Sequence, residues 1–147
     1  MSVSYGKKED TDLEFMINLS RAYLSVHRNI CQVFTKHGLT SAQFAVLEIL
    51  FHKGDLTVGQ IVKSILTTSG NITVVIKNLE KDGLVTRKTS EEDRRVGIIS
   101  ITEEGRKLIE NVFPEQLEAV MESFQPIEEE NKKFISSELH KLWYEKK

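Results

Sequence analysis

Residues 68–102 decide the fold and read TSGNITVVIKNLEKDGLVTRKTSEEDRRVGIISIT. Apolar side chains recur there at helical spacing, at Ile72, Val75, Ile76 and Leu79. This spacing predicts a helix that begins at Thr68 or Ser69, runs to Lys81 and ends at the Asp82-Gly83 pair. The period then changes to that of a strand in residues 84–88 and 96–102, on either side of a charged run. Together these features predict a helix followed by a β-hairpin with a charged tip.

Two short helices are predicted upstream, and both begin with the same local signal. Thr40 and Thr57 are each followed three residues later by a glutamine, Gln43 and Gln60, as in a capping box. The first helix should end near residues 53–55, and the second should span about 58–65. Helices in this order before a hairpin are typical of a winged helix-turn-helix, in which one helix braces against the phosphates and the next reads the major groove.

Longer helices are predicted on both sides of this core. The N-terminal one spans about 12–37, ends at Gly38 and carries an apolar stripe suited to packing on another helix. Residues of about 103–147 should form two helices, with Pro114 kinking or interrupting the first and Pro126 at the first position of the second. We therefore expect a single domain over 1–147, mainly α with a small β-hairpin wing, whose winged helix-turn-helix core spans about 40–102.

The composition is that of an ordinary globular protein. The 147 residues are 39% hydrophobic and 29% charged, with a net charge of −2. The apolar runs are too short to cross a membrane and the polar N-terminus lacks a signal-peptide pattern, so we expect a cytoplasmic protein. The single Cys31 excludes an internal disulfide and a cysteine-built zinc site. Because the histidines are scattered and no glycine-rich phosphate loop is present, we expect no metal, no cofactor and no enzymatic activity.

The middle of this acidic chain is basic, with seven basic and five acidic residues between Thr57 and Ser100. The side chains on the outward face of the helix before the hairpin are mostly small and polar. Asn can pair with an adenine edge, and the methyl groups of Thr or Val can contact the methyl group of thymine. Lys77 and Lys81 suit phosphate contacts. A solvated surface helix would show similar polarity. We predict DNA contacts on this helix at Ser69, Gly70, Asn71, Thr73, Val74 and Lys77.

The hairpin tip carries Asp93-Arg94-Arg95. Arginine is the favoured side chain in a narrow minor groove, and Asp93 can orient one guanidinium through a bidentate pair. The alternative is a charge cluster that is only solvated. Such a cluster could lie anywhere on the surface, whereas binding to the minor groove needs a wing directly after a recognition helix. We therefore add Asp93, Arg94, Arg95 and the strand residue Arg87 to the predicted DNA-binding residues.

These motifs resemble the MarR family of bacterial transcription regulators, and more loosely its subgroup associated with quinone and aromatic-compound stress. The resemblance covers about residues 13–124 and rests most specifically on Leu79-Glu80-Lys81-Asp82-Gly83-Leu84-Val85 and on Asp93-Arg94-Arg95. It implies an obligate homodimer, joined through the N- and C-terminal helices, that represses by covering a promoter palindrome. It also implies that Arg95 enters the minor groove, and that Val74 and Asn78 stand where many relatives carry a basic residue.

The terminal helices also predict a dimer from their own composition. They carry more apolar residues than a chain of this size can easily cover, namely Phe113, Phe124, Phe134, Leu139, Leu142 and Trp143. A two-fold dimer places two reading helices about one helical turn of DNA apart, roughly 34–36 Å. The alternative is that these helices fold back on their own chain, so that the reading helices of two chains are independent of each other.

The resemblance further implies a small aromatic or phenolic effector, with candidate contacts at Tyr23, His27, Cys31, Phe44 and His52. Histidines on a helical stripe are more often structural. Oxidant-sensing relatives carry a cysteine early in the first helix, whereas Cys31 lies late and has only Arg28 as a nearby cation. Cys31 therefore fits better as a small buried side chain that only fills space. A thiol that reacts with quinones is the alternative.

The predicted function is a sequence-specific dimeric DNA-binding regulator, a repressor of palindromic promoter sites that a small aromatic, phenolic or oxidant signal releases. The alternative is a winged-helix module for protein–protein contact without specific DNA binding. A steep loss of DNA affinity with salt favours the first function over the second.

Overall fold

The computed structural model of the chain describes residues 3–65 and 71–144. Its elements in chain order are α1 (Lys7–Lys36), α2 (Ser41–Lys53), β1 (Leu56–Thr57), α3 (Val58–Ser64), α4 (Ile72–Lys81), β2 (Val85–Thr89), β3 (Gly97–Ile101), α5 (Glu103–Phe124) and α6 (Glu129–Trp143). The predicted mainly helical fold with a small β wing is confirmed. No helix in these two ranges has both the length and the apolar character needed to span a bilayer.

The first helix, α1, begins at Lys7, earlier than the predicted residue 12. Glu9 and Asp10 lie in its first turn, where the helix dipole favours negative charge. The Asp10 carboxylate also accepts hydrogen bonds from the Ser4 hydroxyl and from the Tyr5 backbone N–H (2.9 Å), which lower the pKa of Asp10. Sequence periodicity missed this start because the first turns carry few apolar residues. At the other end Gly38 adopts a φ of +73°, as expected for a residue that ends a helix.

Both predicted capping boxes are present. Thr40 Oγ1 accepts from the Gln43 backbone N–H at 3.1 Å while Gln43 Oε1 accepts from the Thr40 N–H at 3.0 Å. Thr57 and Gln60 make the same reciprocal pair at the start of α3, at 3.1 and 2.8 Å. Each box satisfies two backbone donors that a helix start otherwise leaves free, and so fixes where α2 and α3 begin.

The wing is a three-stranded antiparallel sheet in the order β1-β3-β2. The hairpin strands β2 and β3 pair in a register that places Arg87 opposite Ile99. On the other side of β3, Leu56 of β1 also pairs with Ile99. The sequence did not predict β1, because a two-residue strand is too short to show alternation. This strand attaches the segment before α3 to the wing.

One cluster of buried side chains joins the helix-turn-helix to the wing. Ile76 and Leu79 of α4 and Ile99 of β3 are fully buried in it. Ile72 and Val75 pack against the same cluster, so the predicted inward face of α4 is confirmed. Burial of this face fixes the rotation of α4 and leaves its opposite face towards solvent.

Two proline expectations for the C-terminal helices are corrected, namely an interruption at Pro114 and a helix start at Pro126. Helix α5 runs through Pro114 without interruption. Pro114 and Glu110 are both exposed, so the Glu110 carbonyl that loses its helical donor can bond to water instead. Pro126 is not the first residue of the last helix but lies in the turn after Phe124, and α6 begins at Glu129. Glu129 and Glu130 supply the acidic first turn that a helix N-terminus favours.

Candidate nucleic-acid interface

The exposed face of α4 carries the predicted base-facing and phosphate-facing residues. Thr73, Val74 and Lys77 all lie on it, and Asn78 and Lys81 extend it towards the end of the helix. Val74 is 51% exposed, which leaves a branched apolar side chain among polar neighbours. The face therefore offers methyl groups, hydrogen-bonding groups and two ammonium groups to a partner.

The N-terminus of α4 differs from the prediction. The helix begins at Ile72 with Asn71 as its cap, rather than with Thr68 or Ser69. Asn71 Oδ1 accepts from the Thr73 backbone N–H at 3.0 Å, an interaction typically worth about 1 kcal/mol. A bidentate contact with adenine would use the second lone pair of this same oxygen, so Asn71 can cap the helix and read a base only where one side-chain orientation suits both hydrogen bonds. The predicted contacts Ser69 and Gly70 lie outside the described residues.

The wing tip holds Arg95 in a defined arrangement with Asp93. The Asp93 carboxylate accepts from the Arg95 backbone N–H at 3.0 Å, from its Nε at 3.2 Å and from its Nη2 at 3.4 Å. The Arg95 side chain nevertheless stays 91% exposed. Arg94 beside it is also exposed. The tip therefore projects guanidinium groups to solvent, with one of them oriented as the sequence predicted.

The ionised form of Asp93 is favoured by these contacts. The Arg95 backbone N–H, and after it the Arg95 side chain, hold the pKa of Asp93 below its usual range. Asp93 is therefore a carboxylate throughout the neutral range and can hold Arg95 by charge as well as by geometry.

Arg87, the fourth predicted wing contact, is already paired. Its Nε donates to Glu80 Oε1 at 3.2 Å, and both side chains are partly exposed. Glu80 was not predicted from the sequence, because its partner Arg87 lies on a different element across a turn. The sequence signal for this ion pair is a glutamate just before the turn, at Glu80, and an arginine just after it, at Arg87.

Three of the predicted effector residues lie together on α1. The Tyr23 and His27 rings stack with centroids 5.3 Å apart, and His27 Nε2 lies 3.4 Å from Cys31 Sγ. Burial raises the pKa of the Cys31 thiol, and a hydrogen bond with Ser41 opposes that shift. The neutral thiol is thus the favoured form at neutral pH, in agreement with the filler interpretation.

The other two predicted effector residues lie elsewhere. Phe44 is 2% exposed and stacks on Phe34 in the core, with ring centroids 4.2 Å apart. His52 stands at the end of α2, with its Nδ1 2.9 Å from the Glu48 carbonyl oxygen and its ring 5.7 Å from that of Phe113. A single chain therefore distributes the five residues over three places. No three His, Cys, Asp or Glu side chains in the described part of the chain are grouped to hold a metal ion.

A groove of about 470 Å³ runs between α1 and α5 and involves none of the five predicted residues. Its polar lining includes Lys36 on α1 and Glu115 on α5, whose charged groups are 3.1 Å apart. His37 Nε2 lies 3.2 Å from the other Glu115 oxygen. Hydrogen bonds from Lys36 and His37 lower the pKa of Glu115, so this ion pair links the end of α1 to α5.

A second surface of the molecule is apolar rather than polar. Helix α6 buries none of its side chains, and Phe134, Leu142 and Trp143 are 65–68% exposed. A groove of about 410 Å³ lies between α6 and Phe15 of α1. Helix α1 adds further exposed apolar residues, namely Leu13, Met16, Ile17, Leu19, Tyr23 and Leu24. Phe113, by contrast, packs against the core of its own chain, which corrects its predicted need for a partner.

Comparison with known proteins finds relatives over most of the chain. The family model described as MarR family matches residues 39–96. The HTH-type transcriptional regulator MhqR of Bacillus subtilis is 39% identical over 133 residues, which cover 90% of this chain and 92% of that protein.

Solved structures share the fold. Sco3205, a MarR family transcriptional regulator from Streptomyces coelicolor solved in complex with DNA, superposes with a TM-score of 0.81 at 18% identity. The match covers 97% of this chain and 89% of that one. BpsR of Bordetella bronchiseptica, whose DNA binding is regulated by 6-hydroxynicotinic acid, gives a TM-score of 0.78 at 26% identity. That match covers 88% of this chain and 98% of BpsR.

Proposed function

The chain belongs to the MarR family of transcription regulators, which bind DNA and are not enzymes, and from this premise we propose that it is a homodimeric repressor of promoter DNA. One observation carries the proposal. Arg95 is exposed and oriented by Asp93 at the tip of a hairpin that packs against α4. A merely solvated charge cluster would need no such orientation.

In this proposal the exposed face of α4 lies in the major groove. Thr73 and Val74 contact thymine methyl groups, and Lys77 and Lys81 bind phosphates. Asn71 holds the start of the helix and offers its remaining amide donor to a base or phosphate. Ser69 and Gly70, predicted from the sequence as DNA contacts, lie outside the described residues.

The wing reaches the adjacent minor groove. Its guanidinium groups, Arg94 and Arg95, suit the enhanced negative potential of a narrow minor groove. Because Asp93 restricts the rotamers of Arg95, less side-chain entropy is lost when that guanidinium enters the groove. A narrow groove is typical of A·T-rich DNA, so we expect the operator to be A·T-rich where the wing binds.

A second copy of this chain covers the apolar surface of α1 and α6. Side chains such as Phe134, Leu142 and Trp143 form an exposed patch of the kind that marks a protein interface. The segments of about 12–37 and 103–147, which hold most of α1 and all of α5 and α6, act as dimerisation helices. The two-fold axis then presents two reading heads to a palindromic operator.

A small aromatic or phenolic compound releases the DNA in this proposal. The stacked rings of Tyr23 and His27 offer a flat surface on α1 beside the apolar patch, with Cys31 one turn further on. His52 at the end of α2 and Phe44 in the core lie apart from these stacked rings. The regulation of BpsR by the aromatic acid 6-hydroxynicotinic acid supports this class of effector. Because its partner is promoter DNA, we place the protein in the cytoplasm.

Selection of duplexes from a randomised pool tests the proposal, followed by transcription from a promoter that overlaps the selected site. We expect a shared palindromic motif and loss of transcript when the protein is added. We expect 6-hydroxynicotinic acid or a related phenolic acid to restore the transcript. The variant Lys133→Ala removes a charge on α6, away from α4 and the wing, and it should bind DNA and repress like the parent chain. A recovered pool without a common motif contradicts sequence-specific binding, and an undiminished transcript contradicts repression.

A further inference from the structure

The Arg87 side chain, which comes from β2, has partners on two other elements. Its Nε donates to Glu80 Oε1 in the last turn of α4 at 3.2 Å. The same side chain, which comes from the middle of β2, lies over Gly97 at the start of β3. A methyl group added at Gly97 would lie 3.3 Å from Arg87 Nη1 and 3.6 Å from its Cγ and Cδ. Arg87 therefore links the recognition helix to both strands of the hairpin.

The hairpin is joined to α4 by a short turn, in which the Leu84 backbone N–H donates to the Leu79 carbonyl at 2.9 Å. Gly83 in this turn adopts a φ of +75°. Its carbonyl accepts a hydrogen bond from the Thr102 hydroxyl at 2.7 Å, where β3 passes into α5. The Glu80–Arg87 contact lies further along the hairpin and therefore resists bending of the wing relative to α4.

We propose that Arg87 is a positioning residue that fixes the angle between the recognition helix and the wing, and that it is not a phosphate contact. The inference rests on the proposed binding of α4 and the wing to adjacent grooves. Simultaneous contact with two grooves needs both elements in one relative orientation. An orientation set before binding lowers the entropy cost of association.

The charges at this site support the positioning role over a phosphate contact. Glu80 and Arg87 together form a neutral pair, so Arg87 does not replace a counterion of DNA while the pair is intact. A phosphate brought to Arg87 would also approach the Glu80 carboxylate, and like charges at short distance repel. The positioning role therefore predicts that removing the Glu80 charge weakens DNA binding, whereas a phosphate contact predicts the opposite.

The first test measures affinity for the tightest duplex selected from a randomised pool, over a series of salt concentrations. Glu80→Gln and Arg87→Gln should each weaken binding by about two- to fivefold, the range expected from a surface ion pair, with an unchanged salt slope. Glu91→Gln, which removes a wing carboxylate, is the matched charge control and should not weaken binding. The charge exchange Glu80→Arg with Arg87→Glu should recover affinity relative to either single reversal. Tighter binding by Glu80→Gln, with a slope steeper by about 0.9 per protomer, overturns the inference and makes Arg87 a phosphate contact.

The second test needs no DNA. Spin labels at Lys77→Cys on α4 and Arg94→Cys on the wing, in a Cys31→Ser background diluted with unlabelled chain, report the distance between the two elements. We expect a narrow distance distribution that broadens when Glu80→Gln is added and stays narrow when Glu91→Gln is added. An unchanged distribution with Glu80→Gln overturns the positioning role. A chain that selects no DNA but shows the broadening retains the positioning role and loses only the proposed function.

Discussion

Arg95 donates to the Asp93 carboxylate through both its backbone N–H, at 3.0 Å, and its guanidinium Nε, at 3.2 Å, while its side chain stays 91% exposed. An exposed side chain of this length normally samples many rotamers, and fixing it costs entropy on binding. The carboxylate limits that freedom before any partner arrives. The wing tip is therefore prepared to place one guanidinium in a narrow groove.

Removing Arg95 should weaken DNA binding more than removing its partner. We expect Arg95→Ala to lower affinity for the selected duplex by at least about tenfold, and the salt slope by about 0.9 per protomer, because a charged contact is lost. Asp93→Asn should cost about threefold with little change in slope, because the guanidinium remains but is less well oriented. Fluorescence anisotropy titrations over a salt series measure both quantities. Equal affinities for Arg95→Ala and the parent chain would falsify the wing assignment.

The titration of Asp93 should reflect the backbone more than the guanidinium. The backbone N–H of Arg95 is the larger cause of the lowered pKa of Asp93, and the Arg95 side chain is the second. A lowered pKa in the folded state contributes stability above the pKa of the unfolded chain, and this stability is lost as pH falls through the folded value. We expect the Asp93 pKa, measured by NMR, to rise only partly towards its usual value in Arg95→Ala. A complete return to that value contradicts the hydrogen bond to the backbone.

Cys31 should react slowly with alkylating reagents at neutral pH. Burial raises the pKa of its thiol, so the reactive thiolate is scarce until the pH exceeds that of an ordinary cysteine. The rate of iodoacetamide modification, followed by mass spectrometry against pH, should rise at a more alkaline pH in the folded chain than in the same chain unfolded in urea. Faster modification of the folded chain at neutral pH would instead support an oxidant or quinone sensor at Cys31.

Two glycine substitutions should change stability in opposite directions. A methyl group at Gly105 would collide with the Leu84 carbonyl oxygen and lie 2.9 Å from Ile101 Cγ1, where α5 crosses the wing. We expect Gly105→Ala to lower the free energy of unfolding by about 1–3 kcal/mol. At the exposed Gly59 of α3 the nearest side-chain atom is 3.9 Å away, so Gly59→Ala should raise stability by about 0.5–1 kcal/mol. Denaturant unfolding measures both, and a neutral Gly105→Ala contradicts the close contact.

Local signals predicted most of the fold. The capping boxes at Thr40 and Thr57 are interactions between residues three apart, so a single sequence contains them completely. The inward face of α4 and the change of period at the wing likewise depend on neighbouring residues. The two-residue strand β1 could not be predicted, because it exists only through its pairing with β3.

The candidate site was predictable in its residue types but not in its contacts. The Asp93–Arg95 pair spans two residues and was predicted, whereas the Glu80–Arg87 pair depends on how the hairpin folds back on α4. Asn71 competes as a helix cap with Ser69 and Thr68, and composition does not rank them. The effector candidates were chosen by residue type, and tertiary packing separated Phe44 and His52 from Tyr23, His27 and Cys31.

In the proposed function, two copies of this chain present their α4 helices and wings to the two halves of one palindrome. Phe134 on α6 is 65% exposed and belongs to the apolar surface assigned to the second copy. We expect Phe134→Glu to shift the chain from dimer to monomer in sedimentation velocity, because a buried unpaired charge opposes association. Lys133→Glu, next to it on α6, places the same charge at a polar position and should leave the dimer intact.

The most direct measurement compares the affinity for the selected palindrome with that for a duplex in which one half-site is scrambled, for the parent chain and for Phe134→Glu. The parent dimer should lose about a hundredfold or more in affinity on the scrambled duplex, because one reading head loses its specific contacts. Phe134→Glu should bind both duplexes weakly and almost equally. A parent chain that binds the two duplexes with equal affinity, or that sediments as a monomer on the palindrome, would contradict a dimer that reads two half-sites.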